Sequence, residues 1–238
     1  MLLASLREQV LAANLALVRS GLVVQTFGNA SGISRKDGLV AIKPSGVDYA
    51  DLTPERIVIT DLSGRVIESS LRPSSDLPTH LEIYKHFPNA GGVAHTHSAA
   101  ASAWAQAQRP IPCFGTTHAD YFHGAIPVTP ELTADEIAGD YERETGLAIV
   151  RAFAGLDPDA IPAVLVAGHA PFTWGRDAAE AAHHAEILEY VAGMATATIA
   201  INPAAKPLAR ELHDRHFLRK HGPSAYYGQV TPLRASTK

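Results

Sequence analysis

Gly92-Val93-Ala94-His95-Thr96-His97-Ser98-Ala99-Ala100-Ala101-Ser102-Ala103-Trp104-Ala105-Gln106 is the stretch that decides the fold class. Residues 92–97 form a short apolar run of the kind a buried strand presents, and the alanine-rich residues 99–106 carry strong helix formers, so strand gives way to helix within a few residues. The alternation continues in both directions. Residues 5–19 carry Leu6, Val10, Leu17 and Val18 on one side, with Ser5 and Glu8 spaced as a capping box and Gly21 just past the end, which predicts an amphipathic helix. Strand-type runs follow at 40–42, 56–61 and 64–68, separated by Gly, Pro and Asp, and a helix is expected over 78–87. Beyond the central stretch, helices are expected within 134–154, a strand at 163–167 leading into Gly168-His169, and helices over 177–198 and 207–220. The interleaving predicts one layered α/β domain over residues 1–238, with 230–238 as a loose tail. No GxGxxG turn or GxxxxGK[ST] loop interrupts it, so no nucleotide cofactor is expected.

Composition narrows the function classes. Twenty Lys and Arg against 24 Asp and Glu give a net charge of -4, and no basic run could neutralise a series of phosphates, which argues against nucleic acid as a partner. The opening Met1-Leu2-Leu3-Ala4-Ser5-Leu6-Arg7-Glu8 lacks a basic segment followed by an unbroken apolar one, and no later run approaches the roughly 18 apolar residues of a membrane span. The expectation is a cytoplasmic protein without a membrane partner. The single cysteine, Cys113, excludes a thiolate metal cluster and leaves His and carboxylate as ligands.

His95-Thr96-His97 is the sharpest motif. Residues i and i+2 of a strand project to one face, so two imidazoles can converge on one ion at the roughly 2.0–2.1 Å that zinc prefers. Asp76 stands where a helix should start, able either to cap it or to supply an oxygen ligand. His169 lies just past an apolar strand, where α/β folds tend to place ligands. His80, four residues after Asp76, and the pair His183-His184 are rivals that spacing alone does not dismiss. Three small polar clusters, Gly28-Asn29, Ser45-Gly46 and Ser74-Ser75, offer donors suited to a phosphate, though each also reads as a plain turn. Lys43 reads equally as a charge partner for it or as a solvated residue at a strand end.

Taken as an ordered set, Phe27-Gly28-Asn29-Ala30-Ser31, Lys43-Pro44-Ser45-Gly46-Val47-Asp48-Tyr49, Pro73-Ser74-Ser75-Asp76 with Pro78-Thr79-His80, His95-Thr96-His97-Ser98 and Gly115-Thr116-Thr117-His118-Ala119-Asp120-Tyr121 resemble the L-ribulose-5-phosphate 4-epimerase family of the class II aldolase superfamily. Pro171-Phe172, Trp174-Gly175, Leu218-Arg219-Lys220-His221-Gly222 and Ala225-Tyr226-Tyr227-Gly228-Gln229 carry the resemblance to residue 229. The chain departs from it at Ala167-Gly168-His169-Ala170, where family members often have a second histidine two places earlier and a glycine after the ligand.

The resemblance implies a three-layer α/β/α fold with a central, mainly antiparallel sheet. It implies one divalent ion per subunit, zinc by expectation with manganese and cobalt accepting the same ligands, held by His95, His97 and His169 with Asp76 as fourth ligand or close associate. It assigns Gly28, Asn29, Ser45, Gly46, Ser74 and Ser75 to a phosphorylated ketopentose, and Asp120, Tyr227 and His216 to catalysis. It also implies a cyclic homotetramer in which Tyr227 serves the neighbouring subunit's site. The chemistry is consistent with such a set. C4 of a 2-ketopentose is not α to the carbonyl, so its inversion needs either a redox cofactor or retro-aldol cleavage of C3–C4, and cleavage asks for Lewis-acid stabilisation of an enediolate plus acid/base groups on two sides. The nearest rivals are sugar-phosphate aldolases of the fuculose or rhamnulose type, which carry Glu at the position of Asp76, and a non-catalytic module like the adducin head, which lacks the metal ligands.

Overall fold

A computed structural model describes residues 1–227. The chain opens with α1 (Ala4–Arg19), then β1 (Asn29–Ser34), β2 (Leu39–Ile42), β3 (Val58–Asp61), β4 (Val66–Glu68), α2 (Leu77–His86), β5 (Gly92–His95) and α3 (Ala99–Gln106). It continues through the one-turn α4 (Thr116–Ala119), α5 (Ala134–Ala138), α6 (Tyr141–Ala152), β6 (Ala163–Leu165), β7 (Pro171–Gly175), α7 (Ala178–Ile201) and α8 (Arg210–His221). The strands form one seven-stranded sheet in the order β4-β3-β2-β1-β5-β7-β6, with every neighbouring pair antiparallel. Helices flank both faces, as the resemblance implied.

Period-two burial assigns the faces. Ala30, Ala41, Ile59 and Ala94 look toward Val10, Ala13 and Leu17 of α1 and Ala178, Ala181 and Ala185 of α7. Val40, Ile42, Val58, Val93, Phe172 and Trp174 look the other way, into a cluster with Leu77, Leu81 and Tyr84 of α2. The first face is lined by small residues because its helices lie close. A Cβ on Gly32 would meet Leu6 and Val10 at 3.0 and 3.1 Å, and one on Gly92 would meet the backbone of Asp177 and Ala178 at 2.3 Å.

Several expectations need correction. The helix α1 begins at Ala4 behind Leu3, and no side chain caps it, so Ser5 and Glu8 make no capping box. Its end is as expected, with Gly21 at φ +70° and Leu22 N–H bonded to the Leu17 carbonyl. The run 56–61 splits into a short 3₁₀ turn at Pro54–Arg56 and a strand from Val58, while 64–68 begins with a turn held by the Asp61 carboxylate, which accepts from the Ser63 and Arg65 N–H groups. The strand expected over 92–97 ends at His95, and that over 163–167 ends at Leu165. β1, β7 and α4 were not anticipated from sequence. Gly228, Gln229 and the tail 230–238 lie outside the described residues. Among the described residues no helix is long and apolar enough to cross a membrane.

Candidate active site

The ends of β1, β5 and β7 converge because their registers bring Asn29 opposite His95 and His95 opposite Phe172. His95 closes β5, and its Nδ1 donates to the Pro171 carbonyl at 2.9 Å while its ring stacks on Phe172 at 4.1 Å. A ring held in this way turns Nε2 outward with its lone pair free. His97 lies beyond the strand, exposed, and nevertheless brings its Nε2 to 3.1 Å from that of His95. His169 comes from the β6–β7 hairpin, which turns at Gly168 with φ +69° and is tied by Gly168 N–H to the Ala105 carbonyl.

The ligating atoms of His95, His97 and His169 all fall within 4.8 Å of one another. The donor set fits a divalent cation. His169 Nδ1 is buried without a partner among the described residues, and burial followed by repulsion from His95 and His97 holds the His169 imidazole down at about 4 against the pull of Asp76. His97 is lowered by burial and by His95, with Asp76 opposing. These two rings are therefore neutral near pH 7, and three imidazoles presented at this spacing are a donor set that suits a divalent cation.

Asp76 stands outside that group of three but beside it. Although it occupies the residue before α2, its side chain makes no capping bond, so the local reading as a cap fails. Its Oδ2 accepts from Asn29 Nδ2 at 2.6 Å and from Ser74 Oγ at 3.3 Å. Burial alone would raise its pKa, but His95, His80, the Asn29 bond and His169 outweigh burial and lower it. His80 is wholly buried, with its Nδ1 at 2.7 Å from Ser31 Oγ, and His184 is turned to the Trp174 carbonyl. Neither rival belongs to the triad.

The phosphate candidates lie around this centre. Loops 43–46 and 72–75 run antiparallel, joined by Ser45 N–H to the Arg72 carbonyl and Ser74 N–H to the Lys43 carbonyl. Ser74 is buried and Ser45, Gly46 and Ser75 are exposed, while Gly28, at φ +104°, passes so near β5 that a Cβ would meet the His95 carbonyl at 3.0 Å. Tyr49 donates to the Gly28 carbonyl at 2.7 Å. Lys43, which sequence left as a solvated alternative, is buried, with Nζ 2.8 Å from the Val47 carbonyl and 4.6 Å above the Tyr49 ring. Burial lowers its pKa against the pull of Asp48.

Asp120 belongs to a second cluster, where α4 meets α8. Its carboxylate takes His216 Nδ1 at 3.0 Å, Arg219 through Nε and Nη2 at 2.7–3.1 Å, and Lys220 Nζ at 3.5 Å. Burial raises its pKa, and the Arg219 and His216 bonds with the Lys220 charge more than reverse this, so the group is lowered overall. Tyr227 is exposed, its N–H bonded to the Arg219 carbonyl and its ring 4.8 Å from the Arg219 guanidinium and 4.6 Å from Lys220 Nζ. The sequence reading missed Arg219 as the residue that joins Asp120 to Tyr227, although it lies within the quoted Leu218-Arg219-Lys220-His221-Gly222 motif. Among the described residues no hydrogen bond joins this cluster to the histidine triad.

Residues 8–196 match the family model described as Class II Aldolase and Adducin N-terminal domain. The chain is 50% identical over 224 residues to the L-ribulose-5-phosphate 4-epimerase UlaF of Salmonella paratyphi C, covering 94% of this chain and 98% of that protein, and the UlaF of Salmonella choleraesuis matches to the same extent. Among solved structures, an L-fuculose 1-phosphate aldolase superposes with a TM-score of 0.75 at 23% identity over 89% of this chain and 94% of its own. The L-fuculose-1-phosphate aldolase of Thermus thermophilus gives 0.66 at 23% over 86% and 100%. At that identity the two aldolases bear on the fold alone.

Proposed function

The chain belongs to the class II aldolase and adducin family, and on that premise we propose that it interconverts L-ribulose 5-phosphate and D-xylulose 5-phosphate by breaking and remaking the C3–C4 bond. The observation that carries the reading is the identity of one residue in two with epimerases of that name over nearly the whole chain. Aspartate rather than glutamate at position 76 favours epimerase over aldolase.

His95, His97 and His169 would hold the metal, with Asp76 beside it. A divalent cation there would supply Lewis acidity that offsets the charge building as the C3–C4 bond breaks, an effect worth several kcal/mol. Zinc suits the donor set, and manganese or cobalt would serve. The side chains of Asn29, Ser45, Ser74 and Ser75 and the backbone at Gly28 and Gly46 grip the phosphate, so that the two-carbon aldehyde fragment stays bound while its carbonyl turns over. Re-addition to the opposite face then inverts C4. The C4 oxygen loses and regains its proton in two orientations, and Asp120 and Tyr227 are the groups we assign to the two sides, with His216 bonded to Asp120 and keeping it oriented.

We assign the working unit to a cytoplasmic homotetramer with shared sites, in which Tyr227 reaches the neighbouring subunit's cleft. The surface supports a covered face, since Tyr190, Met194 and Ile201 form an exposed row along α7 and Tyr226 and Tyr227 are exposed beside Asp120. The test is to supply the metal-loaded protein with L-ribulose 5-phosphate. D-xylulose 5-phosphate should accumulate without free fragments, and release of glycolaldehyde phosphate and dihydroxyacetone as main products would make the chain an aldolase.

A further inference from the structure

A polar seam runs through an otherwise apolar layer between α2 and β1. On α2, Asp76, His80 and Tyr84 follow at i, i+4 and i+8 and so share one helix face. On β1, Asn29 and Ser31 share one strand face. The two rows meet pairwise, with Asn29 Nδ2 on Asp76 Oδ2 at 2.6 Å, and Ser31 Oγ at 2.7 Å from both His80 Nδ1 and Tyr84 Oη. His80 and Tyr84 are fully enclosed, and His80 Nε2 has no partner among the described residues, an arrangement that buried polar groups rarely tolerate. The ring edge faces Phe172 at 5.8 Å, the same phenylalanine on which His95 stacks, and the titratable neighbours acting on His80 are Asp76 and His95.

Proton counting favours one tautomer. Tyr84 and Ser31 bring one hydroxyl proton each and a neutral imidazole brings one ring proton. If His80 Nδ1 carried its proton and donated to Ser31, then either the Tyr84 or the Ser31 hydroxyl proton would be left without an acceptor, in addition to the bare Nε2. If Tyr84 donates to Ser31 and Ser31 donates to Nδ1, both bonds are made and a single group is left over, the Nε2–H. The chain of donors therefore leaves an N–H at Nε2 on a ring whose titratable neighbours are Asp76 and His95.

We propose that His80 is a positioning residue for the metal centre, its Nε2–H set by Tyr84 and Ser31 and available to the Asp76 carboxylate beside the histidine triad. Asp76 is then held by Asn29 on Oδ2 and steadied by His80, in the way that outer partners orient ligating groups at metal sites. His80 touches neither substrate nor metal, and Ser31 and Tyr84 act through it. The inference rests on the metal reading above, and not on which sugar phosphate is turned over.

The experiment measures zinc affinity of the full-length chain by competition with a chromophoric chelator, alongside nitrogen spectra of the imidazoles. His80→Asn, which cannot present a donor at the Nε2 position, should still take up one equivalent at saturation but bind zinc about 10–100-fold more weakly. His80→Gln, whose amide nitrogen reaches that position, should recover most of the loss, and Ser31→Ala should weaken zinc binding with the His80 proton redistributed between its nitrogens. A merely structural His80 would lower thermal stability in both His80 variants while leaving zinc affinity alike in all, and that result overturns the proposal, as does a wild-type spectrum with the proton on Nδ1. Failure of the unaltered chain to bind zinc, manganese or cobalt would overturn the metal reading and this inference together.

Discussion

The histidine triad and the Asp120 corner are built by opposite means. The triad and its support come from ends of central strands and from α2, with His95, His80, Asn29 and Ser31 buried and each held by hydrogen bonds inside the packed layer. Asp120 is held by formal charges from α8, a helix with no buried residue at all. The difference suits the two tasks. A metal asks for atoms fixed to within a few tenths of an ångström, which a packed layer provides. A group that trades protons needs access to water and a partner that can be exchanged, which a charged, partly exposed corner provides.

The largest expected effect breaks the first region. His97→Asn should lose both metal and turnover, by about 10³-fold or more if several kcal/mol of charge stabilisation go with the ion. Metal content and rate are measured together, and a variant that keeps its ion at full turnover would move the site elsewhere. Next, Asp120→Asn should keep one equivalent of metal and lose about 10²–10⁴-fold in turnover, as removal of an acid/base group does. A loss of metal from Asp120→Asn would mean that the two regions are one.

The same division decides what the sequence made legible. Helices α1, α2, α3 and α7 were visible because one apolar stripe or an alanine-rich run identifies each of them. β1 was invisible because Asn29-Ala30-Ser31-Gly32 must be small toward α1 and polar toward α2, which removes the β-branched residues by which a central strand is usually found. β7 hid behind Pro171, which stands as its first residue. The His95-Thr96-His97 motif was read correctly as a pair that converges, although its strand geometry was not, since β5 stops at His95. The grip of α8 on Asp120 spans about a hundred residues of chain and leaves no local trace, so His216 could be named only by resemblance and Arg219 was overlooked. The Asp76, His80 and Tyr84 spacing was available as a signal, but without β1 opposite it nothing distinguished it from an ordinary helix face.

A smaller effect tests whether the corner is completed by another chain. If Tyr227 acts across an interface, Asp120→Asn and Tyr227→Phe chains, each nearly inactive, should regain activity when unfolded together and refolded as mixed oligomers. Each site draws Asp120 from one chain and Tyr227 from the next, so equal mixing restores about a quarter of sites in a cyclic assembly. No recovery in oligomers shown to be mixed would confine Tyr227 to its own corner, where it already rests on Arg219 and Lys220.

The smallest effect separates the regions by pH in metal-free protein. His80 and His118 are held neutral by burial, at about 3 and about 4, so their folded values lie below the roughly 6.5 of the unfolded chain. The unfolded state therefore takes up protons first as pH falls below 6.5, and stability declines on the order of 1 kcal/mol per pH unit for each such ring. The Asp120 carboxyl is also lowered, but for an acid the sign is reversed. Its contribution is complete above the unfolded value near ~4 and is lost only as pH falls through the lower folded value. Between pH 6.5 and 4.5, wild type and Asp120→Asn should thus lose stability in parallel, separated by the corner's contribution of about 1–2 kcal/mol, or a few degrees in Tm. Below about pH 4 the two curves should converge. Curves that converge already near pH 6 would mean that the Asp120 carboxylate with Arg219 does not hold α8 in place.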